Sequence, residues 1–362
     1  MIERMDALIL PLNWQRVRLG DIANYLISNL SAEQITQQGK IKVYDVNNFI
    51  GYTDTTFISD KPYISIVKDG SVGRVRILPP KTNILSTMGA LIANHRTTTE
   101  FLFYLLSNFD FKNFISGSII PHIYFRDYKE KTIFLPPLNE QIAIANILSA
   151  LDRYLCTLDA LILKKESVKK SLSFELLSQR KRLKGFNQSW QRVRLGDIAN
   201  YLISNLSAEQ ITQQGKIKVY DVNNFIGYTD TTFISDKPYI SIVKDGSVGR
   251  VRILPPKTNI LSTMGALIAN HRTTTEFLFY LLSNFDFKNF ISGSIIPHIY
   301  FRDYKEKTIF LPPLNEQNAI ANILSALDNE ITSLKNKKRQ FENIKKTLNH
   351  DLMSAKIRVL KK

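Results

Sequence analysis

The chain has 362 residues, 44% hydrophobic and 10% aromatic, which is enough for real cores and too much for a disordered polymer. A single cysteine, Cys156, excludes a disulfide framework and a cysteine-based zinc site, and no apolar run approaches the roughly eighteen residues of a membrane helix. The net charge of +16 points to a polyanion or an acidic partner. The opening stretch, with Glu3, Asp6 and only a short apolar run, does not read as a signal peptide, so a reducing, cytoplasmic setting is expected.

Residues 41–44 alternate as a strand, and Tyr63 to Val67 form another that closes in the turn Lys68-Asp69-Gly70. Gly73 to Leu78 then alternates basic and apolar residues until Pro79-Pro80 stops it, which predicts a strand with a basic outward face. From Thr98 to Phe109 the spacing becomes helical, with Thr98 or Thr99 as N-cap and Phe101, Leu105 and Phe109 on one face. A loop at Ser116-Gly117-Ser118 leads into Ile119 to Arg126, and Thr132 to Leu135 is a last strand before Pro136-Pro137. Each such stretch reads as a compact α+β domain.

After Pro137 the pattern stays helical. Asn139 is the expected N-cap, and Glu140 places a carboxylate where the helix dipole favours it. Ile144, Ile147, Leu148, Leu151, Leu155, Leu158 and Ile162 step by three and four. The stripe continues through Val168, Leu172 and Leu176 to a C-cap at Gly185. A rod with one apolar stripe needs a partner helix.

Trp190 to Asp328 then repeats Trp14 to Asp152 at an offset of 176, with one difference in 139 positions, Ile142 against Asn318. A second arm follows from Asn315 through Ile323, Leu327, Ile331, Leu334, Phe341, Ile344, Leu348 and Leu352, the natural partner of the first. Beyond the identical block the arms agree at only 8 of 34 positions. Nearly unchanged domains therefore sit on diverged arms, as cassettes moved by recombination or by deliberate placement would. Each repeat copy carries only +2, whereas residues 153–186 carry +6 and 329–362 carry +7. Those charges are either solvated helix faces or a footprint for a polyanion or acidic partner.

Catalytic chemistry is missing from the pattern. There is no G-x-x-x-x-G-K-[ST] loop, no G-x-S-x-G elbow, and no His-x-x-x-His or Cys-x-x-Cys pair. Asp110-Phe111-Lys112 lacks the upstream acidic partner of a nuclease centre, and no methyl-donor motif is present. What remains is an inventory for contacting phosphates and base edges: Lys68, Arg74, Arg76, His95, Arg96, His122, Tyr124 and Arg126. The second copy supplies Lys244, Arg250, Arg252, His271, Arg272, His298, Tyr300 and Arg302. An ordinary surface role is the competing reading for each of them singly, and no metal site is expected.

Four stretches carry a resemblance: Trp14 to Ile22, Asp69 to Gly73, Gly117 to Ile123, and Pro136 to Asp152, all repeated in the second copy. The last, Pro-Pro-Leu-Asn-Glu-Gln…Leu-Ser-Ala-Leu-Asp, is the most specific. The chain resembles the DNA-specificity (S) subunit of Type I restriction-modification enzymes over nearly its whole length. The resemblance implies an α+β, pseudo-twofold protein with two target recognition domains, residues 1–137 and 187–313. These are joined and spaced by helical arms, 138–186 and 314–362, which form an antiparallel coiled coil. It implies a non-catalytic reader of double-stranded DNA. Two adenine methyltransferase subunits would dock through Leu138, Glu140, Gln141, Leu314, Glu316 and Gln317, and restriction or motor subunits would join them. S-adenosylmethionine, ATP and magnesium then belong to the partners, and this chain needs no cofactor. The family's two domains commonly differ, whereas here they match. Two alternatives stand beside this reading: a specificity component of a Type II-like enzyme, and a coiled-coil adaptor with duplicated ligand domains and no nucleic acid.

Overall fold

A computed structural model describes residues 13–46 and 48–359. The first copy contains nine strands: β1 Gln15–Arg18, β2 Ala23–Ile27, β3 Ile41–Tyr44, β4 Phe49–Thr53, β5 Tyr63–Val67, β6 Val75–Leu78, β7 Asn83–Ile84, β8 Met88–Ala93 and β9 Thr132–Leu135. Helices α1 Thr99–Ser107 and α2 Phe125–Tyr128 lie between β8 and β9, and α3 Leu138–Leu177 is the first arm. The second copy repeats all nine strands and both short helices, and its arm is the helix Leu314–Met353.

The expected strands at 41–44, 63–67 and 132–135 are present, the one expected over 73–78 covers 75–78, and α1 starts where its N-cap predicts, with Thr98 Oγ1 accepting from Phe101 N at 3.1 Å. Not anticipated were β1, β2, β4, β7 and β8. Their pairings explain the organisation. An antiparallel sheet runs in the order β2-β8-β5-β6, a second sheet in the order β4-β3-β7, and β1 pairs antiparallel with β9. The start of each domain is thus hydrogen-bonded to its end, just before the arm.

Strand β5 is buried along its whole length, which is why its sequence is apolar except for Ser65, whose hydroxyl donates to Arg76 O at 3.3 Å. Ile64 and Ile66 face the main core with Phe101, Leu102 and Ile123, while Tyr63 and Val67 face a smaller cluster with Leu78, Ile84 and Met88. Gly89 is needed because Tyr25, on the neighbouring strand, lies across it. A Cβ there would stand 2.2 Å from the Tyr25 hydroxyl.

Two compact units emerge, residues 1–159 with 337–362, and residues 160–336. Each contains one copy of the domain and one end of each arm. In the first unit the C-terminal arm runs antiparallel to α3. Asp152 is ion-paired with Lys345, Asp159 with Lys338 at 2.7 Å, and the Tyr154 ring packs on Phe341. In the second unit the same direction is set by Lys169–Asp328 at 2.5 Å, Lys165–Glu330 at 2.8 Å and Glu166–Lys335 at 2.6 Å. Because these pairs are partly exposed, each contributes only about 0–1 kcal/mol; their effect is on register more than stability. They also correct the footprint expectation in part, since five lysines of the basic arms are ion-paired to the opposite arm within the units.

The arms depart from the sequence pattern at three places. Helix α3 begins at Leu138, so Asn139 is inside it, its side chain accepting from Glu140 N at 3.0 Å. It ends at Leu177, not at Gly185, because Gln179 turns left-handed with φ +62°. The matching Ala355, at φ +58°, ends the second arm, where Lys356 N donates to Asp351 O in a Schellman-type closure. Ile147, Val168 and Ile344, expected on the apolar stripe, are exposed. A straight helix drifts about 20° per heptad relative to a seven-residue repeat, and these positions turn away from the seam. Ile144, Ala145 and Leu148 pack into their own domain instead, with Leu352 and Met353 closing the same core. Leu176 does so for the second domain.

Candidate nucleic-acid interface

The residues expected to contact nucleic acid fall into three groups. The first gathers around the β5–β6 turn. Asp69 bridges Lys68 Nζ at 2.9 Å and His122 Nδ1 at 2.6 Å, although His122 lies 53 residues from Asp69 in the chain. Burial works against the Asp69 carboxylate, but the hydrogen bonds from His122 and Lys68 outweigh it and hold its pKa below the ordinary aspartate value. Lys68 O accepts from Ile123 N, and Pro121 O accepts from Gly70 N, so the 116–123 loop is pinned to this turn. His122 stacks on Tyr124, and the Arg126 guanidinium lies 4.9 Å from the Tyr124 ring centre.

These side chains border an open cleft of about 620 Å³ lined by Tyr25, Ile27, Lys68, Tyr124, Phe125, Arg126 and Lys129. Tyr25 stacks flat on Phe125 at 4.6 Å. Burial, and then the nearby Asp69 charge, push the Tyr25 hydroxyl up to about 12, so at neutral pH it keeps its proton. A cleft with an aromatic wall, three cationic side chains and a donor hydroxyl fits a phosphate-bearing, base-bearing ligand. The second copy repeats the node: His298 lies 2.6 Å from Asp245, and Arg302 lies over Tyr300. There Lys244 stands 3.5 Å from Asp245.

The second group lies on β6. Arg76 covers the Tyr44 ring at 5.4 Å, and Arg74 is at the start of the strand, where its carbonyl accepts from Val67 N. In the second copy Arg250 and Arg252 both hydrogen-bond Asn223, through its side chain and its carbonyl. In the second copy the arginines are therefore fixed to the turn between the strands equivalent to β3 and β4.

The third group is elsewhere. His95 is exposed in the loop after β8, and Arg96 donates to Gln15 Oε1 at 3.1 Å, beside the arm. In the second copy His271 and Arg272 line one cleft with Pro312, Pro313 and Leu314. The structure thus separates His95, Arg96, His271 and Arg272 from the Lys68–Arg126 group and places them at the root of the arm.

Of the six arm residues expected at a partner surface, only Leu138 and Leu314 are exposed, each 45%. Glu140, Gln141, Glu316 and Gln317 are buried, which corrects the expectation of direct contact. Gln141 accepts from Thr97 Oγ1 and Thr98 N, and donates to Arg96 O and Pro136 O. Glu140 accepts from Trp14 Nε1 at 3.1 Å, and Glu316 from Trp190 Nε1 at 3.0 Å. The Pro-x-x-Glu-Gln phrase is a clamp between arm and domain. Buried amide and carboxylate groups must be paired, and here the domain supplies the partners.

Sequence reasoning missed Asp69, Tyr25 and Tyr44, whose roles depend on neighbours distant in the chain. It passed over Ile119, although two isoleucines beside a glycine, in a stretch with neither helical nor strand period, were a visible signal. Among the described residues no group of histidine, cysteine, aspartate or glutamate is arranged to hold a metal ion, and no helix is long and apolar enough to cross a membrane. Asp69 to Gly73 is the hairpin loop between β5 and β6, with Gly73 N donating back to Val67 O, and does not cradle phosphates as a helix-leading glycine loop would.

Residues 11–166 and 187–343 each match the Type I restriction modification DNA specificity domain. The chain is 24% identical to the Type I restriction enzyme MjaVIII specificity subunit of Methanocaldococcus jannaschii, over 99% of this chain and 96% of that protein. It is 26% identical to the putative type I restriction enzyme MjaX specificity subunit of the same organism, over 97% and 95%. The fold matches the crystal structure of the S subunit of a Type I restriction-modification system from M. genitalium, with TM-score 0.67, 23% identity, and coverage of 96% and 97%. Two copies of the family domain, each held to a long arm by the same buried clamp, make the chain a member of the Type I restriction-modification specificity-subunit family.

Proposed function

We propose that the chain reads a bipartite DNA site and positions adenine methyltransferase and restriction subunits on it, itself performing no chemistry. The observation that carries this reading is the near identity of the two domains together with the antiparallel arm pairing inside each unit. Identical side chains require identical half-sites. Antiparallel arms make the second half-site the reverse complement of the first. The target is then an interrupted palindrome: a few specified base pairs, an unspecified spacer, and the inverted copy. For two readers on one face of the duplex, half-site centres lie about 10 base pairs apart. The Lys68–Arg126 group and its second-copy counterpart supply phosphate and base contacts, and Leu138 and Leu314 belong to the partner surface. S-adenosylmethionine, ATP and magnesium are assigned to the partners: the sequence has no G-x-x-x-x-G-K-[ST] loop, and among the described residues no group is arranged to hold a metal ion. A cytoplasmic setting follows from that partnership.

Ile142 and Asn318, the single difference between the copies, sit exposed on the arms, so the symmetry of reading survives it. The test is to map modified adenines genome-wide in cells expressing this subunit with its methyltransferase. An inverted repeat with one adenine modified in each half is expected. Two unrelated halves, or a direct repeat, would refute the arrangement.

A further inference from the structure

Among the described residues, the large apolar side chains most open to solvent are Ile119 and Ile295, at 93% and 92% exposure, with Ile120 and Ile296 next to them at 55% and 54%. They form the tip of the loop 116–121 and of its copy. This loop is not slack. Ser116 N donates to His122 O at 2.9 Å, and His122 N donates back to Ser116 O at 2.7 Å, so both legs are tied. Gly117 takes φ +88°, and a Cβ there would stand 2.3 Å from Ile120 O. Pro121 stiffens the descending leg, and its carbonyl is held by Gly70 N at 2.9 Å. The unit spends a glycine, a proline and a buried-edge Asp69–His122 contact on holding an isoleucine out in water. Ile119 belongs to neither core cluster of its unit, so folding does not require it.

The footing of the tip decides what it faces. Lys68 and Arg126 stand at the base of the loop, beside the aromatic cleft. An apolar point beside an aromatic cleft edged by Lys68 and Arg126, which are ion-paired with Asp69 and Asp127, complements a duplex, whose apolar base stack lies between two anionic backbones. Apolar side chains that enter DNA do so as wedges between base steps, and a methyltransferase must take its target base out of the stack.

We propose that Ile119 and Ile295 are wedges: each enters the base stack of its half-site beside the adenine that leaves the duplex, and holds the gap open. This rests on the DNA-reading function proposed above. It assigns to the non-catalytic subunit a share of the base displacement that its partner's chemistry needs.

The experiment uses the full chain in complex with its methyltransferase, and a duplex carrying the mapped site with 2-aminopurine in place of the target adenine. The double variant I119A/I295A changes only exposed atoms, so its thermal midpoint should match wild type. Wild type should raise 2-aminopurine fluorescence on binding, and the variant should raise it far less. The variant should bind the intact duplex ~10-fold more weakly, and recover most of that loss when a mismatch at the target position has already weakened the stack. An equal fluorescence rise in both proteins, or a deficit the mismatch does not relieve, overturns the wedge while leaving the reader intact. Wild type that shows no preference for the mapped site defeats the reading itself, and the wedge with it.

Discussion

Arg182 closes a two-pronged ion pair on Glu316, with Nε 3.2 Å from Oε1 and Nη2 2.7 Å from Oε2. Glu316 also accepts from Trp190, so the carboxylate ties the first arm's end, the domain's first strand and the second arm's start together. The first unit repeats the plan less completely. Arg358 reaches Glu140 through one contact of 3.4 Å, and Glu140 Oε1 and Arg358 Nε have no hydrogen-bond partner among the described residues.

Arg182→Ala should therefore lower the thermal midpoint of the full chain more than Arg358→Ala. Removing one partner strands a buried carboxylate in both cases, but only Arg182 engages both oxygens. Scanning calorimetry of the two variants checks the order. Equal drops, or a larger drop for Arg358→Ala, would show that the geometric difference between the units has no energetic weight.

Gln317→Leu keeps a similar volume and removes four hydrogen bonds. It strands Thr273 Oγ1, Thr274 N, Arg272 O and Pro312 O around a fully buried position. The expected cost is about 2–4 kcal/mol, from several buried groups each losing its partner. Urea unfolding gives the number. A loss under about 1 kcal/mol would mean that the groups find new partners and the clamp is dispensable.

The Asp69 node has a signed pH dependence. Its folded pKa is depressed, so its contribution is complete above the ordinary aspartate value of about 3.9 and is lost as pH falls through the folded value. The thermal-midpoint gap between wild type and Asp69→Asn should be flat from neutral pH down to about 4, then shrink. A gap that stays constant to about pH 2, or widens there, would contradict the assignment of the depressed pKa to the His122 and Lys68 contacts.

Residues 1–186 expressed alone lack the C-terminal arm that contributes Leu352 and Met353 to the first unit's core. Leu172 and Leu176 occupy the positions equivalent to Leu348 and Leu352, so a second copy of the fragment can supply the missing cover. Dimerisation at tens of micromolar is the expected result of equilibrium sedimentation. It should be weaker than the native pairing, since the arms agree at only 8 of 34 positions. A strict monomer at that concentration would contradict self-pairing.

The amino-acid sequence alone determined the duplication, the strands with strong local alternation, the capped helix at Thr98 and the two long arms. These are local properties: periodicity and capping act over a few residues, so they are legible without neighbours. The strand β8 was not, because Gly89 and Ala90 break its apolar pattern. Glycine is there to admit the Tyr25 ring from another strand. Nor could residue type show that Glu140 and Gln141 point inward, since that follows from Trp14, Thr97 and Thr98 arriving from elsewhere in the chain.

Only the tertiary structure decided which basic residues act together. Lys68 and His122 meet through Asp69, and Arg126 joins them over the Tyr124 ring on which His122 stacks, while His95 and Arg96, equally basic, are carried to the arm root. Phe134 and Phe310 make the point most sharply, since their local sequences are identical. Phe134 packs against a core that Met353 and Val359 help to close, whereas Phe310 is 49% exposed beside a cavity of about 320 Å³ that Phe174 and Leu177 line. Burial is a property of what arrives from the rest of the chain, and the arms that arrive are the part of this duplication that has diverged.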